Sequence, residues 1–494
     1  MEVILISIYG LALAFIFCYS LIQLQLVWKY RTYRKLAAFD PPKLLEEKEL
    51  PSVCVQLPIF NEAYVAERLV DKICELDYPQ DLVEIQVLDD STDETQRLLK
   101  AKVFEKKQKG FQIEYLHRKD RAGFKAGALA EGLKQTQAEL IAIFDADFMP
   151  ESSFLKEMVP AFQDKKVGMV QSRWEHLNEG YSWLTKLQAF GLDAHFSVEQ
   201  GGRNAGGHFI NFNGTAGVWR KSCIEEAGGW QSDTLTEDLD LSYRAQLKGW
   251  KFRFLEKVGA PAELPAAMNA LKTQQFRWNK GAAECVRKNL GKVLRAEKLS
   301  FSTKVNAIFH LMNSAVFICI MVLAVLSIPM LMIKHYFAEY HLLFTLASVF
   351  ILSLPILAWF YWSSWRRVYH NPWQAFLKFL IRFPFFLSVT MGLALHNAWA
   401  VTEGYLGIKT PFLRTPKFAL SRDSEGKWFK NRYLRKQIGL LPFVELTMVF
   451  YFAFGIGLGI HYGDFGLLPF HFMLLIGFGY VSLLSFWHAF KTAS

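Results

Sequence analysis

The sequence predicts an α/β domain, built on a mainly parallel, doubly wound sheet, inserted between membrane-spanning helices. Three observations predict it. From Pro51 onward, short β-branched runs alternate with helical stretches, the pattern of parallel strands joined by crossover helices. Two of these runs end in carboxylate pairs, Asp89-Asp90 and Asp145-Ala-Asp147, and open α/β sheets bind ligands at the carboxyl ends of their strands. Apolar runs of bilayer-spanning length lie on both sides of this region.

Composition is consistent with that division. The 494 residues are 52% hydrophobic and 15% aromatic, but the apolar residues are unevenly spread and concentrate near the two ends. A net charge of +10 fits basic loops kept on the cytoplasmic side by the positive-inside rule, with anionic lipid headgroups and a nucleotide substrate as further partners. No nucleic acid is expected. Six cysteines, at 18, 54, 74, 223, 285 and 319, form no CxxC pair and sit mostly in apolar surroundings, which favours buried reduced thiols over disulfides or zinc.

Taken in order, Val3 to Trp28 is long enough to span a bilayer and ends in the basic flank Trp28-Lys-Tyr-Arg-Thr-Tyr-Arg-Lys35. A cleaved signal would have a shorter apolar core, with its charge in front of it. Here the charge follows. The expected arrangement therefore puts the N-terminus outside and Thr32 to about Thr303 in the cytoplasm. The expected units are 1–35, a catalytic domain over 36–303, a hairpin over 304–364, an interfacial and loop segment over 365–437, and a second hairpin over 438–494.

Within the domain, strands are predicted near Val53 to Leu57, Val83 to Leu88, Phe111 to Leu116, Leu140 to Phe144 and Val167 to Gln171, with helices after Asn61, Asp93, Phe124 and Glu151. The Thr234 to Glu237 spacing is that of a capping box, and Leu247-Lys-Gly249 closes the same helix, which puts Asp238 in its first turn. Neither GxGxxG nor GxxxxGK[ST] occurs, so no glycine-rich loop is available to hold phosphates. Asp145 and Asp147 can instead present oxygens to a hard divalent cation. Lys125 opens a helix between two glycines, a position suited to a phosphate.

Beyond Lys304 the chain returns to the membrane. Asn306 to Ile333 with Leu342 to Trp362, and Leu440 to Ile460 with Phe465 to Phe486, are expected to form two hairpins. Between them Trp373 to Val401 is apolar but carries Lys378, Arg382, Pro384 and His396. If it crossed, the basic loop from Lys409 to Lys436 would lie outside, so it is expected along the inner interface, which gives five spans and a cytoplasmic C-terminus. Glu445 falls inside a span, which marks a functional polar position.

The stretches VQLPIFNE, IQVLDDSTD, GFKAGAL, FDADFMPE, LDAHFSVEQ, FNGTAGVWR, EAGGW, TEDLDLSYRAQLKGWKF and QQFRWNKG, in this order, resemble the family 2 glycosyltransferases. They are most similar to the cellulose synthase-like A and C proteins, the plant glucomannan and xyloglucan-backbone synthases. The resemblance covers nearly all of 53–290. It implies a GT-A-like fold in which Asp89 and Asp90 hold the nucleoside of a sugar nucleotide, and Asp145 and Asp147 bind its diphosphate through Mg²⁺ or Mn²⁺. Lys125 is a further donor contact. Asp238, with Glu237 beside it, makes up the catalytic pair, Asp238 being the base. Gln274, Arg277 and Trp278 form the motif QxxRW, which in the family lies beneath the pyrophosphate and the acceptor sugar. Asn213, Gly214 and Thr215 resemble the loop beside the acceptor terminus. Phe412-Leu-Arg-Thr415-Pro-Lys417 is similar to the gating-loop motif FxVTxK, with Arg414 in place of valine, and implies a lid that uses Thr415 and Lys417. His195 reads as a packing or hydrogen-bonding residue.

The expected activity is a processive, inverting synthase that extends a β-1,4-hexosan from GDP-mannose, GDP-glucose or UDP-glucose and passes it outward along aromatic faces such as Trp359, Tyr361, Trp362 and Trp399. The host membrane would be the plasma or inner membrane, or the Golgi. Transfer of a single sugar to a lipid or lipid-linked acceptor is the alternative. A membrane transporter or receptor with a nucleotide-binding domain that regulates rather than reacts is a third reading, which needs no base at Asp238.

Overall fold

The computed structural model describes residues 1–35, 44–410, 413–420, 428–431, 433–434 and 439–493. Seven strands form one sheet: β1 (Val53–Ile59), β2 (Val83–Asp89), β3 (Ile113–His117), β4 (Leu140–Ile143), β5 (Val167–His176), β6 (Gly217–Arg220) and β7 (Lys251–Ala262). Their order is β3-β2-β1-β4-β6-β5-β7. Only β6 runs antiparallel to its neighbours, β4 and β5, and every other pairing is parallel. Because side chains alternate along a strand, the sheet buries two faces. Leu140 and Ala142 pack with Val55, Leu57 and the helix Ala66–Ile73 on one face, while Ile141 and Ile143 pack with Trp219, Phe254 and the helix Phe124–Gln135 on the other.

The five expected strands are present, each starting or ending within a few residues of its predicted limit. Two strands went unanticipated. β6 is only four residues long and follows a turn in which Gly214 and Ala216 both have positive φ, so no periodic run announces it. β7 does alternate, its burial switching residue by residue from Lys251, and the sequence Lys-Phe-Arg-Phe carried that signal.

Outside the sheet, six helices among the described residues are long and apolar enough to cross a membrane: Glu2–Thr32, Ala315–Tyr336, Ala338–Val368, Pro372–Gly392, Leu441–Tyr462 and Leu468–Lys491. The chain is an integral membrane protein. Pro372–Gly392, expected on the interface, is among the six by length and composition and has the lowest mean hydropathy, 1.4. The expected span from Asn306 to Ile333 is corrected. It breaks at Met312–Ser314 into the helices Phe301–Leu311 and Ala315–Tyr336. Polar residues explain the break: His310 Nδ1 hydrogen-bonds the Tyr243 hydroxyl at 2.9 Å, and Asn306 donates to Gln25 at 3.1 Å. The first of the two helices thus touches both the Asp238 helix, through Tyr243, and the N-terminal apolar helix, through Gln25.

Trp219 is fully buried, with ring centroids of Phe212, Trp230 and Phe252 at 5.2–6.0 Å. Trp219→Ala is expected to cost about 3–5 kcal/mol, measured as a lower midpoint in thermal unfolding of the detergent-solubilised protein; an unchanged midpoint contradicts this core.

Candidate active site

The parallel strands deliver the acidic pairs to one edge of the sheet. Asp89 ends β2 and lies beneath the surface, one oxygen accepting from the Ser91 N–H at 2.9 Å and the other from the Tyr115 hydroxyl at 2.6 Å. Asp90 faces the cleft and is held by the Arg118 fork at 2.8 and 2.5 Å. Just past β4, the Asp145 N–H donates to Thr215 Oγ1 at 2.9 Å, and its carboxylate accepts from Lys125 Nζ at 2.5 Å. Asp147 accepts from Lys417 Nζ at 2.7 Å and from the Glu263 N–H at 3.2 Å through the same oxygen, Oδ2. Its Oδ1 is buried with no hydrogen-bond partner.

Lys125 also donates to the Gly214 carbonyl at 2.8 Å. Gly214 has φ +80°, and a Cβ there would stand 3.2 Å from Asp238 Oδ2, so glycine both makes the turn and leaves room for the carboxylate. Asp238 lies in the first turn of the helix Glu237–Leu247 as expected, but the capping box does not form. Thr236, not Thr234, is the N-cap, with no side-chain bond to the helix, and Glu284 accepts the Leu235 N–H at 2.7 Å. The long helix Met268–Arg295 presses on Thr236 at Gly281, where a Cβ would come within 2.5 Å of the threonine side chain.

That long helix carries Gln274, Arg277 and Trp278, all three on the cleft wall. Arg277 donates to Thr415 Oγ1 at 3.0 Å. The segment 413–420 crosses the cleft on several such bonds. Lys417 reaches Asp147, while the Phe418 and Leu420 N–H groups donate to Glu263 at 2.8 and 3.3 Å. Arg414 forks onto Glu62 at 2.8 and 2.7 Å and donates to the Asn61 carbonyl. Phe412 of the loop motif lies outside the described residues.

All the expected site residues except Asp89 and Thr215 line this one cleft, and those two lie directly beneath it. His195 bonds Glu199 at 2.7 Å within a single π-helical stretch and Asn213 of the loop before β6 at 3.4 Å, in keeping with a hydrogen-bonding role. Glu62 and Glu263 were missed as site residues. Glu62 stands in the stretch VQLPIFNE, but its partner is 352 positions away, beyond any local pattern.

Crowded carboxylates shape the electrostatics. Burial, and then the Glu237 carboxylate, push Asp238 up to about 7. Burial raises Glu237 as well, against the pull of Lys125. Burial opposes charge on Lys125, but Asp145 and Glu237 override it and hold the ammonium above its ordinary pKa. Glu62 and Glu263 are each pushed up to about 7 by burial, with Asp147 adding to both.

The lining holds seven carboxylates against five Lys and Arg side chains, so an anionic ligand needs added positive charge to enter. Among the described residues no group of three or more His, Cys, Asp or Glu could hold a metal alone. The unpartnered Asp147 Oδ1 and the neighbouring Asp145 nevertheless fit a hard cation that takes its remaining ligands from a phosphate.

Comparisons with known proteins agree with this geometry. The family model "Glycosyltransferase like family 2" matches residues 51–281. Glucomannan 4-beta-mannosyltransferase 2 of Arabidopsis thaliana is 40% identical over 295 residues, covering 58% of this chain and 55% of the relative. Glucomannan 4-beta-mannosyltransferase 1 of Oryza sativa subsp. japonica is 38% identical over 314 residues, covering 60% of each. The chain spans little more than half the length of these curated relatives. A solved structure, the mannosyltransferase PcManGT from Pyrobaculum calidifontis in complex with GDP-Man and Mn2+, superposes with a TM-score of 0.54 at 18% identity, over 82% of this chain and all of that one. This likeness supports a GT-A-like fold.

The Arg414–Glu62 fork is a charge-assisted bidentate pair. Glu62→Gln is expected to loosen segment 413–420, so that hydrogen exchange at the Phe418 and Leu420 amides quickens about tenfold or more, the equivalent of ~1.4 kcal/mol. Unchanged exchange means that Arg414 does not hold the segment.

Proposed function

We propose, from the premise that residues 51–281 are a glycosyltransferase family 2 domain, that the chain is an inverting, processive membrane synthase of a β-1,4-linked mannan or glucomannan. Its donor is a nucleotide-activated hexose, with GDP-mannose first among GDP-mannose, GDP-glucose and UDP-glucose because the relatives' names describe mannosyl transfer. One observation carries the reading: the Asp145-x-Asp147 pair, Asp238, the QxxRW helix and the cross-cleft segment all line a single cleft.

Each residue then has a chemical task. Asp238 takes the proton from the acceptor hydroxyl as that hydroxyl attacks the anomeric carbon, and a carboxylate poised near neutrality suits a general base. Asp145 and Asp147 would hold Mg²⁺ or Mn²⁺, which when bound neutralises the leaving diphosphate. Lys125, Arg277 and Lys417, paired with carboxylates or Thr415 in the structure, exchange those partners for phosphate oxygens. Trp278 offers a flat face to the acceptor pyranose, beside Asn213 and Gly214. Asp90, fixed by Arg118, meets the nucleoside, with Asp89 bracing it from beneath. Segment 413–420 excludes water while donor is bound.

The domain faces the cytoplasm in this reading, and Pro372–Gly392 lies along the inner interface. Its contacts support that placement: Arg382 is 3.7 Å from Glu179, Phe386 packs on Phe190, and in the next helix Glu403 pairs with Lys280 at 2.9 Å. Contacts with the domain thus continue from 382 to 403. A crossing helix of 21 residues would carry one end about 30 Å away.

The test incubates membranes with each labelled donor and Mn²⁺ or Mg²⁺, then digests the product with β-mannanase. Long, mannanase-sensitive chains are expected, whereas label that extracts as a single-sugar lipid favours the alternative. Asp147→Ala is expected to abolish turnover. Asp238→Asn is expected to keep donor binding and lose transfer by roughly a hundredfold or more. Because the Asp238 pKa is raised to about 7, the base is protonated on the acid side, so kcat/KM falls below that pH. A limb near pH 4 contradicts the assignment. For orientation, Lys409→Cys is expected to resist an impermeant thiol reagent in intact cells and Glu339→Cys to react; labelling at 409 from outside contradicts the interfacial placement.

A further inference from the structure

The helix that carries the QxxRW motif has a second functional face. Gln274, Arg277 and Trp278 line the cleft, and at 100° per residue Lys272 falls on the opposite side, with 268 and 275 on the flank beside it. Each of these is tied to a membrane helix or to the segment 394–406. The Met268 N–H donates to His488 Nδ1 at 2.9 Å, and Gln275 accepts from Asn397 at 2.8 Å. Lys272 Nζ donates to both oxygens of Glu445 at 2.7 and 2.8 Å and to Ser485 Oγ at 3.1 Å. Glu445 is the one carboxylate in the helix Leu441–Tyr462, and it is fully buried.

A buried ion pair is poor evidence for stability, because apolar residues of equal volume do as well or better. It differs from an apolar contact in being directional. Leucine against leucine tolerates sliding along a helix axis, whereas an ammonium shared among two carboxylate oxygens and a hydroxyl does not.

We infer that Lys272, Glu445 and Ser485 are positioning residues for transfer: they fix the axial register of the QxxRW helix against the last membrane hairpin, and so set the depth of Arg277 and Trp278 in the cleft. Displacement of a reacting group by about 1 Å costs on the order of a hundredfold in rate. The inference rests on the proposed transferase function.

The test compares wild type with Lys272→Met/Glu445→Leu, which removes both charges at similar volume, and with Glu445→Asp, which keeps the charge and shortens its arm by one methylene. Thermal unfolding in detergent and binding of GDP or UDP with Mn²⁺ are measured beside kcat, donor KM and product length. The expected result is nucleotide binding and donor KM within twofold of wild type, a retained unfolding midpoint, kcat lower by tenfold or more in the double variant and several-fold in Glu445→Asp, and shorter chains. Wild-type kcat and chain length in Glu445→Asp and in any folded double variant overturn the inference, as does a loss of nucleotide binding in proportion to kcat. Wild-type membranes that transfer from no donor overturn the proposed function instead, so the two failures are distinguishable.

Discussion

Negative charge gathered in one place is the constraint on which this structure turns. Glu62, Asp145, Asp147, Glu237, Asp238 and Glu263 share a cleft, and carboxylates this close cannot all ionise unless cations stand between them. Lys125, Lys417 and Arg414 do so, each bridging elements far apart in the chain. The Arg414 and Lys417 pairs also join the sheet edge to the segment that follows the helix Ala394–Leu406. Under the proposed function, a ligand that brings its own cation releases the lysines to its phosphates, so charge balance and substrate recognition are one problem solved by one set of residues.

The membrane helices take part in the site as well as anchoring it. Through its outward face the QxxRW helix is bonded to the last two membrane helices and to the segment 394–406, while its inward face forms the cleft wall. Its lower surface, at Gly281, sets the start of the helix that bears Asp238. Asp238, Arg277 and Trp278 are thus referred to one rigid rod, held by the last two apolar helices.

Much of this was legible in the sequence, and what was not has physical reasons. The parallel strands and the carboxylates at their ends follow from short-range pattern, which is why Asp90, Asp145 and Asp147 fall where expected. The Thr234 capping box did not form because the helix starts two residues later than the spacing implied, at Glu237 with Thr236 as its N-cap. β6 stayed hidden because four residues after a turn carry no period. Glu445 was marked as a functional polar residue, but only the fold could name Lys272 as its partner. Arg414 read as a departure from a loop motif. The structure makes it the residue that reaches Glu62, a contact no window of sequence contains.

His488 Nδ1 accepts the first N–H of the QxxRW helix, and this has a consequence for the order of synthesis. The sheet, the Asp145-x-Asp147 pair and Asp238 all lie before residue 263 and can fold as they leave the ribosome, since domains fold as units during translation. The helix that follows waits for the Glu445 and His488 contacts until some 170 to 220 further residues have been made. The sheet and the carboxylates at its edge can therefore form before the helix Met268–Arg295 meets its last contacts. A nascent chain can fold the sheet early but completes the cleft wall only once the helices Leu441–Tyr462 and Leu468–Ala493 are in place to hold Lys272 and the Met268 N–H.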